Sequence, residues 1–298
     1  MFPRSNYILI QLIIILALGL SACASLAGPT ATPTLAPPTL TPVPPTPTPP
    51  PLAATVNGEW ITEVEFQAEL DRYRAASQAT GTSLSTDDAA KVVLDDIIAQ
   101  VLLAQGAREA GFEVTEADLG SRIDALVSSL GGADALAKWQ SDHGYTDETF
   151  RSALKRDAEA AWMRDKIITA VPGTAEQVHA QQILLYNQDA AQQVADQLDA
   201  GANFSDLAVL YDPNTGGDLG WFPRGYLLEP ELEDVAFSLE PGQHSGVIAT
   251  EVGYHIIMVL EKDPQHQLSP DAYLVMQEKA LQDWLTQKRN ESDIVLTP

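Results

Sequence analysis

Two stretches of the sequence concentrate residues able to do chemistry: Gly216-Gly217-Asp218-Leu219-Gly220-Trp221-Phe222-Pro223-Arg224-Gly225 and Gly253-Tyr254-His255-Ile256-Ile257. The glycine pair that opens the first could cradle a phosphate, but no Lys-Ser or Lys-Thr pair follows it, so no nucleotide site is implied. His255 sits in an alternating strand pattern with the hydroxyl of Thr250 a few residues before it. Earlier in the chain, Gln182 precedes the apolar run Ile183-Leu184-Leu185, and its amide both donates and accepts hydrogen bonds. His179 lies three residues before Gln182, on the opposite face of a strand, so the two cannot serve one site interchangeably. Cys23 is the only cysteine, which excludes an intrachain disulfide and a thiolate metal cluster. Neither a metal nor a cofactor is called for.

The elements that must position these groups can be read from periodicity. Around Val178–Leu185 the pattern is that of a strand. A helix through Ala190–Leu198 closes at Gly201, and Phe204, Leu207, Ala208 and Tyr211 make a further turn or two. Before this region the pattern is helical. Asn57-Gly58 between apolar residues predicts a tight hairpin turn. Thr62 with Glu65 forms a capping-box pattern ahead of Phe66, Leu70 and Tyr73. Asp87 and Asp88 lead into Val93, Ile97, Val101 and Leu102, a helix ending before Gly106 or Gly111. Thr115 with Asp118 starts a third helix, and Leu136 with Trp139 marks a short fourth. Thr146–Thr169 reads as a long helix stopped by Pro172 and Gly173, and Asp271–Lys288 carries Tyr273, Met276, Ala280, Trp284 and Leu285 at helical spacing.

The net charge is -24 over 298 residues, which argues against nucleic acid, because phosphate backbones are held by clustered Lys and Arg. Tyr7–Leu20 is an apolar run of signal-peptide rather than membrane-spanning length. It ends in Leu20-Ser21-Ala22-Cys23, which resembles the bacterial lipobox and implies acylation of Cys23, hence a membrane anchor outside the cytoplasm. From Gly28 to Pro51 the chain is almost entirely Pro, Thr, Ala and Leu. Such a stretch cannot bury a core and reads as an extended tether, at about 3 Å per residue.

Four blocks in order, V-x-A-x-x-I-L from Val178, G-G-D-L-G-W-F from Gly216, A-F-S-L-x-P-G from Ala236 and G-Y-H-I-I from Gly253, closely resemble the parvulin-type peptidyl-prolyl isomerases. The resemblance implies a small antiparallel sheet wrapped by helices and a site for X-Pro bonds. Rotation about such a bond faces a barrier of about 20 kcal/mol, because the twisted amide loses its resonance. No bond breaks. The catalyst grips the proline ring, keeps water off the carbonyl and fits the twisted amide better than either planar form. By this resemblance Leu219, Leu227 or Leu228, and Leu232 form the apolar cup, with Phe222 beside them; the stretch Tyr226–Pro230 is one residue longer than the usual pattern. His255 matches the second active-site histidine and Thr250 its hydroxyl partner. Asp212 takes the position of an Asp or Cys near the reacting amide, in a loop shorter than the common one. The family's other active-site histidine is replaced by Gln182.

Val56, Asn57, Gly58, Ile61 and Thr62 match a V-N-G-x-x-I-T opening, and with the succeeding helices resemble the N-terminal chaperone region of the SurA and PrsA families. The expected architecture is α+β: a signal peptide over 1–22, a lipidated Cys23 and linker over 23–53, an all-α SurA/PrsA-like domain over 54–172, a parvulin domain over 175–263, and a C-terminal segment over 268–298 whose helix packs on the helical domain. Two functions remain open. One is a foldase that isomerises prolyl bonds in secreted or envelope proteins; the other is a chaperone that holds unfolded, proline-containing polypeptide clients around a silent isomerase domain.

Overall fold

The computed structural model describes residues 50–81 and 85–297; the signal segment, Cys23 and all but the end of the proline-rich stretch lie outside them. The first elements are β1 (Leu52–Val56), β2 (Glu59–Thr62), α1 (Glu63–Thr80), α2 (Thr86–Glu109), α3 (Glu116–Leu130), α4 (Ala133–Asp142) and α5 (Asp147–Thr169). After them come β3 (Thr174–Leu185), α6 (Gln188–Asp199), α7 (Phe204–Tyr211), β4 (Asp218–Pro223), α8 (Pro230–Ser238), β5 (Ile248–Ala249), β6 (Tyr254–Gln267), α9 (Pro270–Glu291) and β7 (Ile294–Leu296). These residues form two compact units.

The first unit takes in the described residues up to Val101, then Gly111–Glu159, and the chain end from Asp293. Asn57 and Gly58 both have positive φ, 52° and 81°, the backbone twist that a two-residue hairpin requires. The hairpin gains a strand that periodicity did not suggest: β7 pairs antiparallel with β1, giving the order β2-β1-β7. The body expected to be all helical therefore carries a small sheet. At α1 the Thr62 side chain accepts from the Glu65 N–H at 3.2 Å, while the Glu65 carboxylate pairs with Arg156. The full reciprocal capping box forms at α3, between Thr115 and Asp118, and these hydrogen bonds hold the Asp118 carboxyl below its ordinary range. Val114, Leu119 and Ala158 are buried together, with Phe112, Ile123 and Leu154 against them.

The second unit comprises Leu102–Ala110 and Ala160–Ser292. Its boundary differs from the one expected near residue 172, because the last turns of α2 and the second half of α5 cluster with the later elements rather than with the helices before. Within this unit α9 lies against those helix ends. Gln277 donates to the Ile168 carbonyl at 3.1 Å, Lys288 meets Glu109 at 2.7 Å, and a Cβ on Gly106 would come within 2.6 Å of the Trp284 ring.

The four-stranded sheet has the order β4-β3-β6-β5, all antiparallel. Because successive side chains on a strand point to opposite faces, β3 and β6 feed two separate cores. Ile183, Leu185 and Ile256 join Ala191, Val194, Leu198, Phe204 and Ala208 of α6 and α7. Val178, Ala180, Ile257 and Val259 join Phe222 of β4 and Leu232, Ala236 and Phe237 of α8. Gln182 and His255 share strand parity with this second set.

Candidate functional site

Gln182 of β3 and His255 of β6 come together because β3 and β6 pair antiparallel, with Gln182 opposite Ile257 and Leu184 opposite His255. The His255 Nδ1 lies 3.0 Å from the Gln182 Oε1, and its Nε2 lies 3.0 Å from the Thr250 Oγ1. With Gln182 accepting, the ring carries its proton on Nδ1 and Nε2 accepts from the hydroxyl. Thr250 is itself set by its turn: its N–H donates to the Gly253 carbonyl at 2.8 Å, and its Oγ1 accepts from the Val252 N–H at 3.1 Å. Burial lowers the His255 pKa below its ordinary value, with the Glu229 charge opposing. The site therefore presents a neutral imidazole whose two nitrogens are both satisfied.

The glycine pair serves the strand rather than a phosphate. Gly217 has φ +72°, and a Cβ there would lie 2.0 Å from the Gln182 carbonyl oxygen, so no other residue fits. In return the Gln182 N–H donates to the Gly217 carbonyl at 2.8 Å. Gln181 holds the same turn from its side chain, donating to the Gly216 carbonyl at 3.2 Å and accepting from Ser205 at 2.8 Å. His179 is engaged elsewhere, its Nε2 2.9 Å from Asp218.

Leu219 and Leu227 pack against the core that contains Leu232. Leu228, the neighbour of Leu227, is 88% exposed. Phe222 also differs from expectation. It is fully buried and meets Phe237 edge to face at 6.1 Å, so it presents no surface to a ligand. Sequence reasoning missed Glu233, a buried carboxylate that accepts from the N–H groups of Gly225 and Leu227 at 2.6 and 2.5 Å and fixes the loop that aims Leu227. The signal was present: Glu233, Ala236 and Phe237 occupy i, i+3 and i+4 of α8, so a carboxylate stands on a buried stripe and requires donors.

Asp212 approaches from another side. It caps α7, and its carboxylate accepts from the N–H groups of Asn214 and Thr215 at 3.1 and 3.2 Å and from the Thr215 hydroxyl. These hydrogen bonds hold its pKa below the ordinary carboxylate value. Asp212 and Gln182 line one cleft of about 230 Å³, together with Leu184, Tyr186 and Tyr211. The cleft exists because β4 begins only at Asp218, opposite Gln181, while β3 runs on beside α7.

The segment that carries His255, Leu219, Leu227 and Leu232, residues 170–261, matches the family described as the PPIC-type PPIASE domain. Residues 48–144 match the SurA-like N-terminal domain. The chain thus carries, in order, a segment matching the SurA-like N-terminal domain and a segment matching the PPIC-type PPIASE domain. Among its relatives, a foldase protein PrsA of Caldanaerobacter subterraneus subsp. tengcongensis is 28% identical over 240 residues, covering 69% of this chain and 72% of that one. A foldase protein PrsA of Geobacillus sp. is 30% identical over 186 residues, 58% of this chain and 64% of its own. A chaperone SurA of Chromobacterium violaceum is 33% identical over 149 residues, 43% and 34% of the two chains. The crystal structure of the peptidylprolyl isomerase PrsA from Bacillus cereus covers 78% of this chain and 83% of its own, at 22% identity and a TM-score of 0.41. Among the described residues no helix is long and apolar enough to cross a membrane.

Proposed function

We propose that this protein is an extracytoplasmic foldase, anchored through a lipid on Cys23, that isomerises prolyl bonds in unfolded clients. The observation that carries the reading is the closed chain Gln182–His255–Thr250 on the same sheet face as the leucine cup. Leu219, Leu227 and Leu232 grip the proline ring. The neutral imidazole keeps its orientation through two hydrogen bonds and brings no charge to the carbonyl, so the site favours the twisted, less polar amide over the planar forms that water stabilises. A glutamine in place of a second histidine preserves this geometry without adding a titrating group. A protease-coupled assay on a proline-containing peptide, using the chain without its first 23 residues, is expected to show acceleration over the thermal rate; a rate equal to the thermal one overturns the reading.

The lipid is tested separately. The full-length chain expressed in bacteria should partition into a detergent phase, and Cys23→Ser should return it to the aqueous phase.

A holdase role is favoured by the match of residues 48–144 to the SurA-like N-terminal domain. It predicts that His255→Ala, with isomerisation lost, still suppresses aggregation of an unfolded client in a light-scattering assay.

A further inference from the structure

The cleft beside Gln182 is a second place on this domain where a client side chain fits, and its chemistry is specific. Its floor is apolar, formed by Ile183, Leu184 and Ala208, and two tyrosines flank it. Tyr186 is 80% and Tyr211 44% exposed, so both rings present accessible faces at the cleft. At its rim stands the Asp212 carboxylate. Its own turn fixes that group in place, and the ionised carboxylate presents a localised negative charge at the cleft.

The surroundings share this sign. Residues 180–223 contain six aspartates and neither Lys nor Arg. Across 170–262 there are fourteen acidic side chains and two basic ones, Arg224 and Lys262. Both basic groups are occupied: Arg224 stacks over Phe237 at 4.1 Å and faces Asp234, and Lys262 donates to the Phe237 carbonyl at 2.8 Å. An acidic or phosphorylated client residue would meet no free cation here. A lysine or arginine would lay its methylene stem on the apolar floor between aromatic walls and bring its charge to Asp212. Gln182 lines the cleft and also holds His255, so the cleft is continuous with the isomerase site.

We propose that the cleft bounded by Tyr186, Tyr211 and Asp212 is a subsite for a basic client side chain adjacent to the proline, so that the isomerase selects cationic stretches of its clients. The proposal rests on the foldase reading above and specifies its substrate class.

The test is a peptide series with one proline and Lys, norleucine or Glu immediately before it or immediately after it. At one of the two positions Lys should exceed norleucine by about five- to tenfold in kcat/KM, Glu should fall below norleucine, and the Lys advantage should shrink as salt screens the charge. Asp212→Asn should bring the ratio of Lys to norleucine kcat/KM to about one, whatever its effect on the norleucine rate itself, and Tyr211→Ala should weaken binding of the Lys peptide most. Equal rates for Lys and norleucine at both positions overturn the proposal, as does a Lys advantage that survives Asp212→Asn. Peptide binding followed by NMR shifts of the Tyr186 and Asp212 amides is read without turnover. If no peptide is accelerated, the foldase reading fails alone, and Lys-selective shifts at these two residues still uphold the subsite; shifts indifferent to Lys overturn it.

Discussion

His255 and Gln182 meet across β3 and β6 through a 3.0 Å contact between Nδ1 and Oε1, a pairing in which one partner titrates and the other never does. Gln182→Leu leaves the buried imidazole N–H without an acceptor, and loss of a buried partner costs about 1–3 kcal/mol. Urea unfolding should show a lower midpoint, and the isomerase rate should fall because the ring loses its tilt. Gln182→His keeps a hydrogen-bonding ring at the position and should retain stability at neutral pH.

The acid response has its origin in the same histidine. Burial lowers the His255 pKa in the folded state below its value in the unfolded chain. In the interval between the folded value and about 6.5 the unfolded chain binds more protons, so stability rises with pH there and is fully present above that interval. Acidification should therefore destabilise the protein. Replacing His255 by Asn should reduce the difference between thermal midpoints measured at pH 5 and at pH 7.5.

Adjacent leucines should behave oppositely. Leu227→Ser removes an apolar wall from the proposed cup and should raise KM about five- to thirtyfold, about 1–2 kcal/mol of lost apolar contact, whereas Leu228→Ser at an exposed position should leave steady-state kinetics unchanged. Glu233→Gln weakens the acceptor that holds the Gly225 and Leu227 N–H groups, so it should resemble Leu227→Ser in KM while also lowering the thermal midpoint.

Gly106 and Trp284 test how α9 is seated. Gly106→Ala drives a methyl into the indole ring, and such overpacking costs about 1–3 kcal/mol. Trp284→Leu makes room for that methyl, so the double variant should be less destabilised than the two single effects combined, a non-additivity expected of residues in contact. Additive unfolding free energies would contradict the close packing.

The site was legible in the sequence where a residue type answers a local need. Gly217 is a glycine because a backbone carbonyl passes where its side chain would be, and His255 with Thr250 lie on either side of a tight turn. Positions that depend on the path of a loop were not legible. Leu227 and Leu228 are chemically identical neighbours, and only the Glu233 clamp decides which one turns inward. Phe222 stands in a motif that suggests a lining residue, yet strand alternation sends it into the core against Phe237. The helices were readable from their caps and stripes, whereas the company they keep was not. Where α2 and α5 change partners midway, their apolar periodicity continues unbroken across the change, so the sequence carries no mark of it. β7 is three residues long, too short for any period to register.

The pairing of β1 with β7 also orders events in time. β1 is made before its partner strand β7, with the whole isomerase domain in between. Local hairpin pairing with β2 is available at once, but the other edge of β1 stays open until β7 emerges. An open strand edge invites pairing with foreign chains, and closing so long a loop is slow relative to local contacts. The body that β1 opens is thus completed only after the isomerase domain has been made, and during that interval the foldase itself carries an unpaired strand edge.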